Sequence, residues 1–216
     1  MRKLIHLGGT SAIVIALALA LPAMAGARSA TQCDGALAPG TYKRVVVPEG
    51  ATCLSDGPVR ITAGLFVEAA GTFVLGDESQ PGINGRISGG VHATRPASVR
   101  IHFVRIDGGL DIRGGSGPFG GPFGITWIAI EDNQINGGAT VRGYDGFWFG
   151  FIRNHVNGTV TLVHNVVDDP DGNEYVTNTI HGSLVCFGNS PAPQIGDSEG
   201  SPNLVTGAKK GQCAGL

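Results

Sequence analysis

The sequence predicts an all-β solenoid, one chain wound into stacked coils whose short strands pair in parallel. Three observations predict it. A phrase of apolar residue, small polar residue and Gly recurs as Ile83-Asn84-Gly85, Ile106-Asp107-Gly108, Ile135-Asn136-Gly137, Val156-Asn157-Gly158, Ile180-His181-Gly182 and Val205-Thr206-Gly207. Its glycines are 23, 29, 21, 24 and 25 residues apart, and a repeat in the twenties marks a fold in which each repeat is one coil. Gly supplies 36 of the 216 residues, well above the roughly 7% of average usage, without a collagen period. Strong helix formers are few beyond the first stretch.

From Val99 onward the coils overlay. Ile101, Ile130, Phe151 and Tyr175 begin four equivalent segments. Ile106, Ile135, Val156 and Ile180 follow at one spacing, and Gly108, Gly137, Gly158 and Gly182 at another. Period-2 alternation then sets in at Leu110/Ile112, Ala139/Val141, Val160/Leu162 and Leu184/Cys186, the pattern of half-buried strands. Asn133, Asn154, Asn178 and Asn203 share one repeat position, where stacked amides would hydrogen-bond from coil to coil. An ordinary β-sandwich is the competing fold, because Asn-Gly is also a hairpin signal. Recurrence at one phase of a long repeat favours a coil corner.

Earlier in the chain, Gly40-Thr41-Tyr42 to Cys53 is expected to open the fold. Val45-Val46-Val47 reads as a strand that Pro48 ends, and the stretch would cap the first coil against edge pairing. Val59 to Val67 and Thr72 to Leu75 read as further strands in weaker register.

The ends carry the cysteines. Cys33, Cys53, Cys186 and Cys213 allow three pairings, and their placement suggests Cys33–Cys53 and Cys186–Cys213. Each closed loop would add roughly 3 kcal/mol. A zinc site is disfavoured, since no Cys-x-x-Cys and no His at ligand spacing is present. Residues 1–25 read as a signal peptide: Met1-Arg2-Lys3, an apolar stretch, then Pro22 and Ala23-Met24-Ala25. An uncleaved anchor is the alternative. Residues 26–216 then form a single domain, long enough for a real core. Loss of Arg2 and Lys3 takes the formal charge from −2 to −4, which argues against nucleic acid or an anionic membrane as partner.

The chain resembles the right-handed, single-stranded parallel β-helix or pectin-lyase-like class. More narrowly it resembles uncharacterised secreted proteins of actinobacterial type. The resemblance rests on Val47-Pro48-Glu49-Gly50-Ala51-Thr52-Cys53, on coils such as Asn154-His155-Val156-Asn157-Gly158, and on the close from Asn203 to Cys213. It implies a right-handed β-helix of about seven coils with disulfide-stapled ends. It carries no activity, since a fold does not fix a function.

Candidate sites are few. Asp168, Asp169 and Asp171 could offer hard oxygen ligands to a metal such as Ca2+, although Gly172 comes too early for a Ca2+ loop and the cluster occupies one loop. A solvated loop is the simpler reading. Trp127 and Trp148 align with a shift of 21 residues. If Ile128/Ile130 and Phe149/Phe151 point inward, the indoles stack outward about 4.8 Å apart. Such a strip suits a sugar face or another protein. Phe119 and Phe123, in the doubled turn before it, would line the same site or fold back to cover it. Arg113 and Arg142 stack in neighbouring coils, solvated or bridged by an anion or by Asp145. His102, His155 and His181 fall at different repeat positions and read as lone surface or turn residues. No catalytic motif and no cofactor site is expected. The sequence therefore points to a secreted, non-catalytic structural or binding protein, with a polysaccharide or an envelope protein as partner. A carbohydrate lyase or hydrolase using Asp168, Asp169 and Asp171 is the alternative.

Overall fold

A computed structural model describes residues 30–216 apart from 56, 80, 83, 117–126 and 196–199. Residues 1–25, read above as a signal peptide, and Phe119 and Phe123 lie outside the described residues. The described chain is a parallel β-solenoid of about seven turns. Three sheets run its length. The first has nine strands, starting Thr31–Gln32, Val45–Val47, Leu65–Val67 and Val91–Thr94, and ending Leu184–Phe187 and Lys209–Gly211. The second has seven, among them Thr72–Leu75, Ser98–His102, Trp127–Glu131, Trp148–Ile152 and Asn173–Val176. The third has eight, from Gly40–Tyr42 through Val59–Ile61, Gly85–Ser88, Val104–Asp107, Gln134–Asn136 and His155–Asn157 to Leu204–Val205.

Like residues lie above like. Ile101, Ile130, Phe151 and Tyr175 are register partners in the second sheet. Ile106, Ile135, Val156 and Ile180 are partners in the third. Leu110/Ile112, Ala139/Val141, Val160/Leu162 and Leu184/Cys186 stack in the first. All are buried and fill one interior column. This column removes the apolar surface that a single coil cannot cover alone, at about 25 cal/mol per Å2. The strands at Val59–Ile61, Leu65–Val67 and Thr72–Leu75 pair in the same three sheets, so their register is as firm as that of the later coils.

The corners explain five of the six occurrences of the repeated phrase; Gly85 is out of phase, since it pairs with Val104 while Ile87 and Ser88 pair with Ile106 and Asp107. Gly108, Gly137, Gly158, Gly182 and Gly207 line one edge. A Cβ at Gly207 would lie 2.6 Å from the Gly182 carbonyl oxygen, and one at Gly158 would lie 2.6 Å from that of Gly137. Coils stack too closely there for any side chain. Between the second and third sheets the turn is made differently. Phe103, Asp132, Arg153 and Thr177 all have φ between 54° and 59°, one left-handed residue per coil despite its steric cost.

Just after that turn comes the asparagine ladder. Asn154 Oδ1 accepts from the Asn133 backbone N–H at 3.0 Å, and Asn178 Oδ1 does the same for Asn154 at 2.9 Å. Asn203 continues the ladder on Asn178. Each amide also donates to a carbonyl inside, as Asn154 does to Ile130 at 2.7 Å. A second ladder, Asn165 to Asn189 to Gln212, runs at another corner.

Both disulfides form as expected, Cys33–Cys53 and Cys186–Cys213. They point to a non-cytoplasmic setting. No helix among the described residues is long and apolar enough to cross a membrane. The opening differs from expectation. Thr31–Gln32 pairs outside Val45–Val47 and Gly35–Ala36 outside Thr52–Ser55, so of the stretch from Gly40 to Cys53 Gly40–Tyr42 alone is an edge strand among the described residues, at the start of the third sheet. The two threonine and glutamine residues carry no repeat signal that would have revealed a strand. Arg113 and Arg142 are partners in the first sheet, and Arg113 is held by Asp111 instead of Asp145.

Candidate functional site

Strand alternation on the second sheet sends Val99, Ile101, Ile128, Ile130, Phe149 and Phe151 inward. The alternate residues form the outer face. Its first row is Ser98, Trp127 and Trp148. Its middle row is Arg100, Ala129, Gly150 and Glu174. Its last row is His102, Glu131, Ile152 and Val176. This face is not solvated in the usual way. His102 is 2% exposed, Glu131 4% and Glu174 3%. Charged and titratable groups at that burial are rare unless paired.

The two tryptophans are register partners and both are half-buried. Their rings do not stack flat. They meet edge to face, with centroids 6.3 Å apart and planes at 75°. The expected flat strip is thus replaced by a corner of two aromatic planes. The reason is local. Gly150, two residues on from Trp148, has no side chain, and the Trp148 ring lies over it, where a Cβ would collide. Trp148 Nε1 donates to Glu174 Oε1 at 3.0 Å. The Arg100 guanidinium lies 4.6 Å from the Trp127 ring centroid, a cation–π contact.

A cleft of about 310 Å3 opens on this face, lined by Arg100, Trp127, Glu131, Phe147, Trp148 and Asp169 among others. Of the acidic loop, Asp169 alone reaches it. Asp168 and Asp171 are exposed, and Asp171 Oδ1 accepts from Gln194 Nε2 at 3.1 Å.

At the far end of the face, His102 Nδ1 lies 4.0 Å from Glu131 Oε2. Neither ring nitrogen of His102 has a hydrogen-bond partner among the described residues. Burial, and then the Arg100 charge, pushes the imidazole down to about 4. Burial pushes the Glu131 carboxyl up to about 7, against the pull of Arg153. The contact is therefore not an ion pair near neutral pH. Arg153 reaches over the corner, with Nη2 donating to Glu131 Oε2 at 3.0 Å and Nε and Nη2 to Asp132 at 2.8 Å each.

His102, Glu131 and Asp132 bring three possible metal-ligand atoms within 4.8 Å of one another. Arg153 already spans both carboxylates, and its positive charge sits where a cation would go. The geometry suits a hydrogen-bonded acid cluster better than a metal centre.

Sequence reasoning placed the tryptophans on this face and missed His102, Glu131, Arg100 and Glu174. Alternation alone marks these four as outward, and outward charged residues are ordinarily solvated. The signal present in the sequence is position. His102 and Glu131 each follow the first apolar residue of an overlaid segment, Ile101 and Ile130. No family model, no curated protein and no solved structure matches the chain.

Proposed function

We propose that this chain is an exported, non-catalytic glycan-binding protein whose binding surface is the outer face of the second sheet. The single observation that carries the reading is the cleft in which Trp127 and Trp148 stand at 75° to each other beside Arg100, Glu131 and Asp169. Pyranose rings present apolar C–H faces and hydroxyl edges. Aromatic planes take the first and fixed charged groups the second. Two planes at 75° would grip one ring on adjacent sides. Residues 1–25 as an export signal, the right-handed winding and the pectin-lyase-like kinship belong to the same proposal. The disulfides support export, since such bonds persist in oxidising compartments.

The test is binding to a glycan panel by calorimetry, with parent, Trp127→Ala and Trp148→Ala proteins. The reading expects one glycan class to bind, with affinity lost at least 10-fold in each variant. Binding that is unchanged in both variants would remove the cleft as the site.

One observation favours a second reading. A carboxyl held near pH 7 beside a sugar cleft is the property a general acid needs. In that reading Glu131 protonates a glycosidic oxygen, and Asp169 is the carboxylate available to activate water. The enzyme idea then moves from Asp168 and Asp171 to Glu131. Turnover of a bound glycan that is abolished in Glu131→Gln, with binding retained, would establish it.

A further inference from the structure

The outer face of the first sheet carries a hollow of its own, apart from the cleft described above. It measures about 430 Å3 and lies on the strands Val91–Thr94, Leu110–Arg113 and Ala139–Arg142, within the range of small-ligand sites. Leu110, Ile112, Ala139 and Val141 are buried, so the residues that alternate with them, Asp111, Arg113, Thr140 and Arg142, face out. On the corner side the wall is Gly108, Gly109 and Gly138. A Cβ at Gly109 would lie 2.7 Å from the Gly138 carbonyl oxygen. No side chain fits there to fill the hollow.

Three kinds of group meet along this face, one coil apart. Phe66, His92, Asp111 and Thr140 are consecutive register partners. The His92 ring stacks on Phe66, with centroids 5.1 Å apart and planes at 23°. Arg44 lies over Phe66 in turn, 4.5 Å from its centroid. The coil before His92 thus braces one face of its ring. The other face turns toward the coil after it, where the hollow opens. Next along is Asp111. Arg113 Nε donates to Asp111 Oδ2 at 2.7 Å, and Arg113 Nη2 meets the same oxygen. Asp111 Oδ1 takes no part in that pair. Arg142 is the register partner of Arg113, but Thr140 stands where the earlier coil has Asp111. Two guanidiniums one strand apart, about 4.7–4.9 Å, therefore share one carboxylate, and Arg142 is left with a neutral hydroxyl on its own strand.

We propose that this hollow binds a nucleoside 5′-monophosphate. The base lies against the open face of His92, beside the glycine wall, since His is one of the side chains on which bases stack. The ribose hydroxyls donate to Asp111 Oδ1, the contact a carboxylate makes with ribose elsewhere. The phosphate takes the Arg142 fork and the Thr140 hydroxyl. Ring, carboxylate and cation follow one another across two strand spacings, about 10 Å. Base, sugar and phosphate follow in the same order along the ligand. Asp111 selects among phosphate esters. Its charge repels a bare anion, and a ligand with no hydroxyls between ring and phosphate would leave Oδ1 unanswered. The tryptophan cleft has no part in this site.

The experiment is calorimetric titration of the full-length protein with AMP and with UMP at low salt. Both should bind, because stacking tolerates any base. Adenosine, ribose 5-phosphate and inorganic phosphate should each bind at least 10-fold more weakly. Arg142→Gln should lose about 10-fold for AMP and nothing for adenosine. His92→Leu should lose several-fold for AMP and nothing for ribose 5-phosphate. The parent should prefer AMP to its 2′,3′-dideoxy form several-fold, and Asp111→Asn should show no such preference. Trp148→Ala should bind AMP as the parent does, which separates this site from the cleft. Circular dichroism checks that each variant folds. No saturable binding of either nucleotide at millimolar concentration, phosphate binding as tight as AMP binding, or AMP affinity unchanged in both Arg142→Gln and His92→Leu would each overturn the proposal.

Discussion

His102 and Glu131 face each other across adjacent strands, 4.0 Å between Nδ1 and Oε2, and burial displaces their proton affinities in opposite directions. The acid holds its proton up to about pH 7 and the imidazole gives its proton up by about pH 4. In the folded chain near pH 5.5 the proton sits on the carboxyl. In the unfolded chain, with ordinary values of 4.5 and 6.5, it sits on the imidazole. Both states then carry the same number of protons.

The pH dependence of stability follows from that count. The raised Glu131 value stabilises the fold below pH 4.5, and this is lost as pH rises through 7. The depressed His102 value stabilises above pH 6.5, and this is lost as pH falls through 4. The two slopes cancel between about 4.5 and 6.5. Urea midpoints of the parent should carry no slope from this pair there. In Glu131→Gln stability should fall on acidification from 6.5, by up to about 3 kcal/mol. In His102→Gln it should fall as pH rises from 4.5 to 7. Variants that both track the parent at every pH would refute the opposed titration.

The asparagine ladder predicts a sharp contrast between two neighbours. Asn154→Ala removes the acceptor for the Asn133 backbone N–H and the donor to the Ile130 carbonyl, all buried. Denaturant unfolding should show a loss of about 2–4 kcal/mol. Asn157→Ala removes only the exposed bond to Asn136 and should cost under about 0.5 kcal/mol. Equal costs would mean the ladder adds little.

Gly150 sets the angle between the indoles, because the Trp148 ring occupies the space a Cβ would need. Gly150→Ala should leave the strand intact and swing that ring. The expected result is an unchanged far-ultraviolet spectrum, a shifted near-ultraviolet tryptophan signal, and several-fold weaker glycan binding. A near-ultraviolet spectrum identical to the parent's would show that the ring does not depend on the glycine.

The winding was legible because three signals agree on one phase. Ile101, Ile106 and Gly108 recur coil by coil, and close stacking at the glycine edge forbids other residues there. The tryptophan level was legible by the same alternation. Their angle was not, since it depends on Gly150 lying under the ring. His102 and Glu131 were missed because alternation marks them as outward, and outward charged residues are ordinarily solvated, whereas these are 2% and 4% exposed. Ile87-Ser88-Gly89, the phrase that is in phase with Ile106-Asp107-Gly108, went unread because Ile83-Asn84-Gly85 offers the same pattern four residues earlier.

The chain contains two tryptophans, and both line the proposed glycan cleft. Intrinsic fluorescence is therefore a direct report from that cleft. A glycan panel is titrated while emission is followed, with calorimetry run in parallel. The account predicts that the glycan giving heat also shifts or quenches emission to saturation at the same affinity, and that Trp148→Ala weakens both. A glycan that gives heat in both proteins and leaves the emission untouched would contradict it.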